Sequence, residues 1–180
     1  MIKRSSVGVI ILLTGISGSG KTTLGKALKS ILAQKGKNPV EFIDGDGARK
    51  FLDTDLGFTP RERMLITKQI AYAAHLLSKN GVNVIVANIA GSYATRDYLR
   101  KNWEKYIQIF LDADINDCIK NDPKGVYKSA LKLKRPCING LDLPYDRPRC
   151  PDITVYPHRE KIKESLKRIT TFLKKRKIIK

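Results

Sequence analysis

A chain of 180 residues with 42% hydrophobic content is long enough to bury the core of one α/β domain, and no stretch is apolar for long enough to span a membrane. Lys and Arg number 35 against 17 Asp and Glu, a net charge of +18, so polyanions, nucleic acid among them, have to be weighed as partners. Cys118, Cys137 and Cys150 are widely spaced and match no metal-ligand pattern, which suits free thiols in a reducing cytoplasm.

Met1–Leu13 imitates a secretory signal, with Lys3 and Arg4 before an apolar run. The run is short, lacks a small-residue cleavage site and leads into a glycine loop, so it reads as a first strand, Val7–Thr14. Gly15-Ile16-Ser17-Gly18-Ser19-Gly20-Lys21-Thr22 follows and matches the phosphate-binding pattern G-x-x-x-x-G-K-[ST] in full. Thr22–Gln34 continues as a helix, with Leu24, Leu28, Ile31 and Leu32 at helical spacing. Strand, glycine loop and helix in that order let backbone N–H groups and the helix N-terminus surround phosphate oxygens. Gly15, Ser17, Gly18, Ser19, Gly20 and Thr23 are therefore expected at ATP. Lys21 is expected on its β- and γ-phosphates, and the Thr22 hydroxyl on Mg²⁺.

Further strands are expected at Val40–Ile43, Val82–Ile89, Ile107–Leu111 and Ile153–Val155, and further helices at Pro60–Lys79, Thr95–Glu104, Ile115–Lys120 and Glu160–Lys175. The alternation implies parallel strands covered by helices on both faces, in a single domain over 1–180. The second strand ends in Asp44-Gly45-Asp46, with Arg49 one helical turn on. Acids at the carboxyl end of a parallel strand face the phosphates and metal. A carboxylate that orients a hydroxyl, beside a guanidinium that holds an anionic acceptor, is equipment for phosphoryl transfer. Between about 122 and 151 the chain carries five prolines, many cations and little periodicity, the composition of a basic lid. Lys124, Lys128, Lys132, Lys134 and Arg135 are its candidate clamps. His75 lies in an apolar helical stretch and reads as a packed or surface histidine, His158 as the start of the last helix, capping it or facing water, and Trp103 and Tyr106 as packing near the fourth strand.

Gly15–Thr23, Asp44-Gly45-Asp46 with Arg49, Asp55-Leu56-Gly57-Phe58, Asp122-Pro123-Lys124-Gly125-Val126-Tyr127 and Gly140-Leu141-Asp142 resemble, in order and spacing, the adenylylsulfate (APS) kinase family, over about Val9 to Asp152. The resemblance implies a P-loop kinase fold, a five-stranded parallel sheet with helices on both faces and a basic lid segment, usually dimeric. It also implies an ATP- and Mg²⁺-dependent enzyme that phosphorylates the ribose 3′-hydroxyl of adenylyl sulfate in sulfate assimilation. Asp46 is then the base or hydroxyl-orienting residue, Arg49 and Arg63 hold the acceptor's anionic groups, Phe58 packs on its base, and Asp44 holds the metal through water.

The departures cluster on the acceptor side. Ile66 stands where the family usually has Asn, and Ile138 where a second aromatic would sandwich the acceptor base. Pro136 takes the place of a lysine, with Lys134 and Arg135 nearby, and Asn121 replaces an arginine at the donor nucleotide. Asn88-Ile89-Ala90-Gly91-Ser92-Tyr93 is one residue longer than the usual segment. Ile89, Lys134 and Ile138 are accordingly expected at the acceptor. These changes leave open a related nucleotide 3′-hydroxyl kinase with another acceptor, for example a cytidine diphosphoramidate kinase. A second alternative is a nucleic-acid-binding P-loop protein that uses the +18 charge, although a solvated helix face explains the basic terminal segment as well as RNA binding does.

Overall fold

The computed structural model describes residues 7–52, 56–122, 124–133 and 137–180. Its elements in chain order are β1 (Ile10–Thr14), α1 (Lys21–Lys35), β2 (Val40–Asp44), α2 (Gly45–Phe51), α3 (Pro60–Lys79), β3 (Asn83–Ala87), α4 (Tyr93–Asn102), β4 (Tyr106–Leu111), α5 (Ile115–Asn121), α6 (Val126–Leu133), β5 (Ile153–Val155) and α7 (Ile162–Lys175). The five strands form one sheet in the order β2-β3-β1-β4-β5. Every pairing is parallel, with Leu12 of β1 opposite Val86 on one side and Gln108 on the other.

β1 is buried along its whole length because helices cover both faces of the sheet, and its near-continuous apolar sequence follows from that. Successive side chains divide between two cores. Ile11 and Leu13 pack with Leu24, Leu28 and Leu32 of α1 and with Ile169 and Leu173 of α7. Ile10 and Leu12 pack with Ile66, Ile70 and Ala74 of α3 and with Leu99 of α4. A third, smaller cluster of Ile16, Cys118, Tyr127 and Ile138 joins the glycine loop to α5 and α6.

Local chemistry sets the helix starts. Pro60 opens α3 and Thr59 caps it reciprocally with Glu62, whose Oε2 accepts from the Thr59 N–H at 2.9 Å. The expected α3 and β5 are observed with the same limits, and the other expected elements are observed with ends shifted by up to three residues. β3 is shorter than its apolar run because Asn88 and Ile89 turn away into the cleft. α7 begins at Ile162, not at His158. His158 sits exposed in the preceding turn at φ 72°, facing water instead of capping the helix.

Two helices depart from expectation. α2 carries Gly45 and Gly47 and buries no residue, so it shows no apolar stripe. α6 forms inside the proline-rich excursion because both oxygens of Asp122 accept backbone N–H groups at its start, from Val126 at 2.9 Å and Lys128 at 3.0 Å. Trp103 and Tyr106 pack together with ring centroids 5.7 Å apart, as expected.

Candidate active site

The carboxyl ends of β1, β2 and β3 open into a cleft of about 290 Å³. The glycine loop forms one wall. Gly18 (φ 74°) and Gly20 (φ 83°) are left-handed, a conformation that residues with a Cβ resist, and a Cβ on Gly18 would also meet Cys118 at 3.2 Å. Lys21, at the head of α1, turns its ammonium back on the loop. Its Nζ donates to Gly15 O at 2.9 Å, Ile16 O at 2.7 Å and Ser19 Oγ at 3.3 Å. Burial lowers its pKa to about 8, against the opposing pull of Asp46. A lysine held by neutral oxygens is ready to transfer to phosphate oxygens.

Beside it, Thr22 Oγ1 donates to Asp44 Oδ2 at 3.2 Å. Asp44 also caps α2, its Oδ1 accepting from Asp46 N at 3.4 Å, so the strand-to-helix turn fixes both acids relative to the loop. Asp46 Oδ2 pairs with Lys124 Nζ at 2.5 Å across the cleft mouth. Of the expected lid cations in the described residues, Lys124 lines the cleft, whereas Lys128 and Lys132 do not. Tyr127 anchors that segment by donating from its hydroxyl to Ser17 O at 2.9 Å.

The opposite end of the cleft is cationic and aromatic. Phe58 is 54% exposed. The guanidinium carbons of Arg49 and Arg63 lie 4.7 and 5.2 Å from its ring centroid. Arg49 Nη1 donates to Leu56 O and Gly57 O at 2.7 and 2.8 Å. Arg63 Nε donates to Phe58 O at 2.8 Å and its Nη2 to Cys137 O. Burial, and then the Arg49 charge, lower the pKa of Arg63. Two like charges share one ring here, and an anion bound between them would relieve the repulsion.

Ser17, Gly18, Gly20, Lys21, Thr22, Thr23, Asp44, Asp46, Arg49, Phe58, Arg63 and Ile89 all line this one cleft. Gly15 and Ser19 shape it from behind as acceptors of Lys21. Ile138 is not on the cleft wall. It is buried against Ile16 and Tyr127, so the position where the resemblance implies a second aromatic packs inward. Lys134 lies outside the described residues. Ile66 lines the cleft and gives it an apolar patch.

Three polar residues of the site carried no signal in the sequence. Thr67 and Asn139 line the cleft. Arg96, 4% exposed, donates to Ala90 O and Asp146 O at 2.6 Å each and so ties the lengthened segment after β3 to the loop at 144–147. Gly91 in that segment is required by packing, because a Cβ there would stand 2.4 Å from Asn139 Nδ2.

Comparison with known proteins identifies the family. The adenylylsulphate kinase family model matches residues 7–156. A probable adenylyl-sulfate kinase of Pseudomonas aeruginosa is 38% identical over 162 residues, 90% of this chain and 75% of that one. The adenylyl-sulfate kinase of Myxococcus xanthus is 37% identical over 178 residues, 97% of this chain and 95% of that one. The structure of the Mycobacterium tuberculosis APS kinase in complex with AMPPNP and APS superposes with a TM-score of 0.86 at 31% identity, covering 93% of this chain and 98% of that one. The chain belongs to the adenylyl-sulfate kinase family of ATP-dependent phosphotransferases.

Proposed function

We propose that this enzyme transfers the γ-phosphoryl group of ATP to the ribose 3′-hydroxyl of adenylyl sulfate, giving 3′-phosphoadenylyl sulfate. The observation that carries the reading is that Asp46 and the Arg49–Phe58–Arg63 cluster face the glycine loop across one cleft. The donor's phosphates take the loop N–H groups, and Lys21 exchanges its carbonyl partners for their oxygens. Phe58 offers a ring face to the acceptor base, and the two arginines hold the acceptor's phosphate and sulfate. That leaves Asp46 to orient the ribose hydroxyl and to accept its proton during in-line transfer. Lys124, paired with Asp46 here, moves onto the transferring phosphate, which frees the carboxylate.

Thr22 Oγ1 and Asp44 Oδ2, hard oxygen donors 3.2 Å apart beside Lys21, fit a Mg²⁺ ion. The ion, when bound, supplies charge neutralisation on the phosphates. The free thiols of Cys118, Cys137 and Cys150 fit a cytoplasmic enzyme, and family resemblance supports a homodimer, which light scattering of the purified protein tests.

The direct test of the chemistry is phosphorus NMR of the product made from MgATP and adenylyl sulfate. A new phosphate coupled to the ribose 3′ position supports the reading, and phosphate at another position or no product overturns it. A second reading, a kinase for a different nucleotide 3′-hydroxyl, draws on the apolar Ile66 in the cleft wall and on Ile138 being buried away from it. Faster turnover of a cytidine nucleotide than of adenylyl sulfate would establish it.

A further inference from the structure

The charge of this protein is not explained by its cleft. Residues 161–180 carry nine Lys and Arg against a single acid, Glu164. α7 buries Ile169 and Leu173 against the sheet and turns Lys163, Lys167 and Lys174 outward at spacings of four and seven, which sets them along one face. The chain then folds back. Ile179 is buried in the same core and pairs with Gly36 beyond the end of α1, and Lys180 N donates to Lys35 O at 3.3 Å. This return brings Lys35, Lys37, Lys174 and Lys180 around one shallow depression that also includes Gln34 and has no Asp or Glu side chain in its lining. The ion pairs among the described residues include none of these four lysines, nor Lys163 or Lys167.

Lysines at the ends of α1 and α7 complement the helix dipoles, which accounts for Lys35 and Lys174. It does not account for Lys37 and Lys180, which lie beyond the helices, or for Lys163 and Lys167 nearer the start of α7. The location separates this face from catalysis. α1 starts at the glycine loop and runs for 15 residues, so at about 1.5 Å per residue its basic end lies on the order of 20 Å from Lys21, at the opposite end of the sheet.

We propose that this face binds the phosphate backbone of single-stranded RNA, independently of the kinase cleft. A row of cations with no exposed aromatic ring among them matches phosphates rather than bases, so binding there is insensitive to sequence. A membrane surface fits less well. An interfacial helix needs a free apolar face, and that of α7 is used inside the core, with Phe172 partly buried beneath Arg176.

The test is fluorescence anisotropy of a labelled single-stranded RNA of mixed sequence, titrated with the full chain across a KCl series. Three proteins are compared: the wild type, a variant with Lys35, Lys37, Lys174 and Lys180 all changed to Gln, and a control with Lys68, Lys79, Lys101 and Lys120 changed to Gln. The control has the same net charge but leaves the proposed face intact. Expected are tight, steeply salt-dependent binding by wild type and control, and binding at least tenfold weaker in the first variant. That variant's log K against log[KCl] slope should be flatter by about 0.7 per lost contact. Phosphotransfer stays unchanged in all three proteins. Equal weakening in both variants would assign the binding to net charge alone and overturn the proposal, as would no binding by wild type. Cosedimentation with phosphatidylserine vesicles that is lost in the first variant, without RNA binding, would replace RNA by lipid and likewise overturn it.

Discussion

Lys21 is held by two carbonyls and a hydroxyl, with no carboxylate among the described residues bonded to it, and burial brings its pKa down to about 8. The sign of the consequence follows from which form each state favours. The free enzyme favours the neutral amine above pH 8, whereas bound polyphosphate favours the ammonium and raises the pKa again. Nucleotide binding above pH 8 therefore takes up a proton, and the Kd for MgATP should rise by up to about tenfold per pH unit there. Titration calorimetry in buffers of different ionisation enthalpy measures the uptake, and a flat Kd between neutral and alkaline pH would contradict it. Asp46 has a separable role. Asp46→Asn keeps the size of the side chain but removes a proton acceptor, so kcat should fall by about 10²-fold or more while nucleotide affinity stays within a few fold. Wild-type turnover in that variant would remove Asp46 from the transfer step.

Among the elements, α1 and α6 carry the strongest constraints. Gly25 of α1 lies against β2, where a Cβ would stand 2.4 Å from Phe42 Cε2 and 3.2 Å from Leu13 Cδ1. Gly25→Ala should therefore cost about 1–3 kcal/mol of stability through overpacking, despite the better helix propensity of alanine. Urea denaturation reads this, and an unchanged or raised midpoint would mean that Phe42 simply swings aside. α6 is tied to the glycine loop by Tyr127 and reaches the acidic pair through the nearby Lys124. Lys124→Ala should raise KM for the acceptor or lower kcat, whereas Lys128→Ala, which is off the cleft, should change neither by more than about twofold. α2 and α6 show where the sequence is opaque. α2 has two glycines and no buried face, so neither propensity nor periodicity marks it; tertiary placement of Asp44 as its cap creates it. α6 was masked by the surrounding prolines, although Asp122, four residues before Val126 N, was its visible cap.

Over the whole molecule, a parallel sheet with helices on both faces requires strands that are apolar on both sides, and β1, β3 and β4 are written that way in the sequence. The glycine loop, Asp44, Asp46 and Arg49 were legible because phosphate chemistry demands particular residue types next to a strand end. Arg96, Asn139 and Thr67 were not. Each is an ordinary polar residue in a helix or loop, and its place at or behind the cleft wall is set only when segments distant in sequence meet. Ile138 was misplaced for the same reason, since the packing of α5 and α6 turns it inward. A nucleotide that binds the folded state alone stabilises it by about 2.7 kcal/mol at a hundredfold excess over Kd, so ATP should raise the Tm, and Asp46→Asn should keep that rise. The central claim, that one cleft joins an ATP site to an anionic nucleotide acceptor, is tested most directly by coupled ADP release from MgATP with adenylyl sulfate, a cytidine diphosphate derivative, a free nucleoside or no acceptor. The account predicts fast release with adenylyl sulfate, little with the nucleoside and almost none without acceptor. Equal rates with and without acceptor would show an ATPase and contradict it.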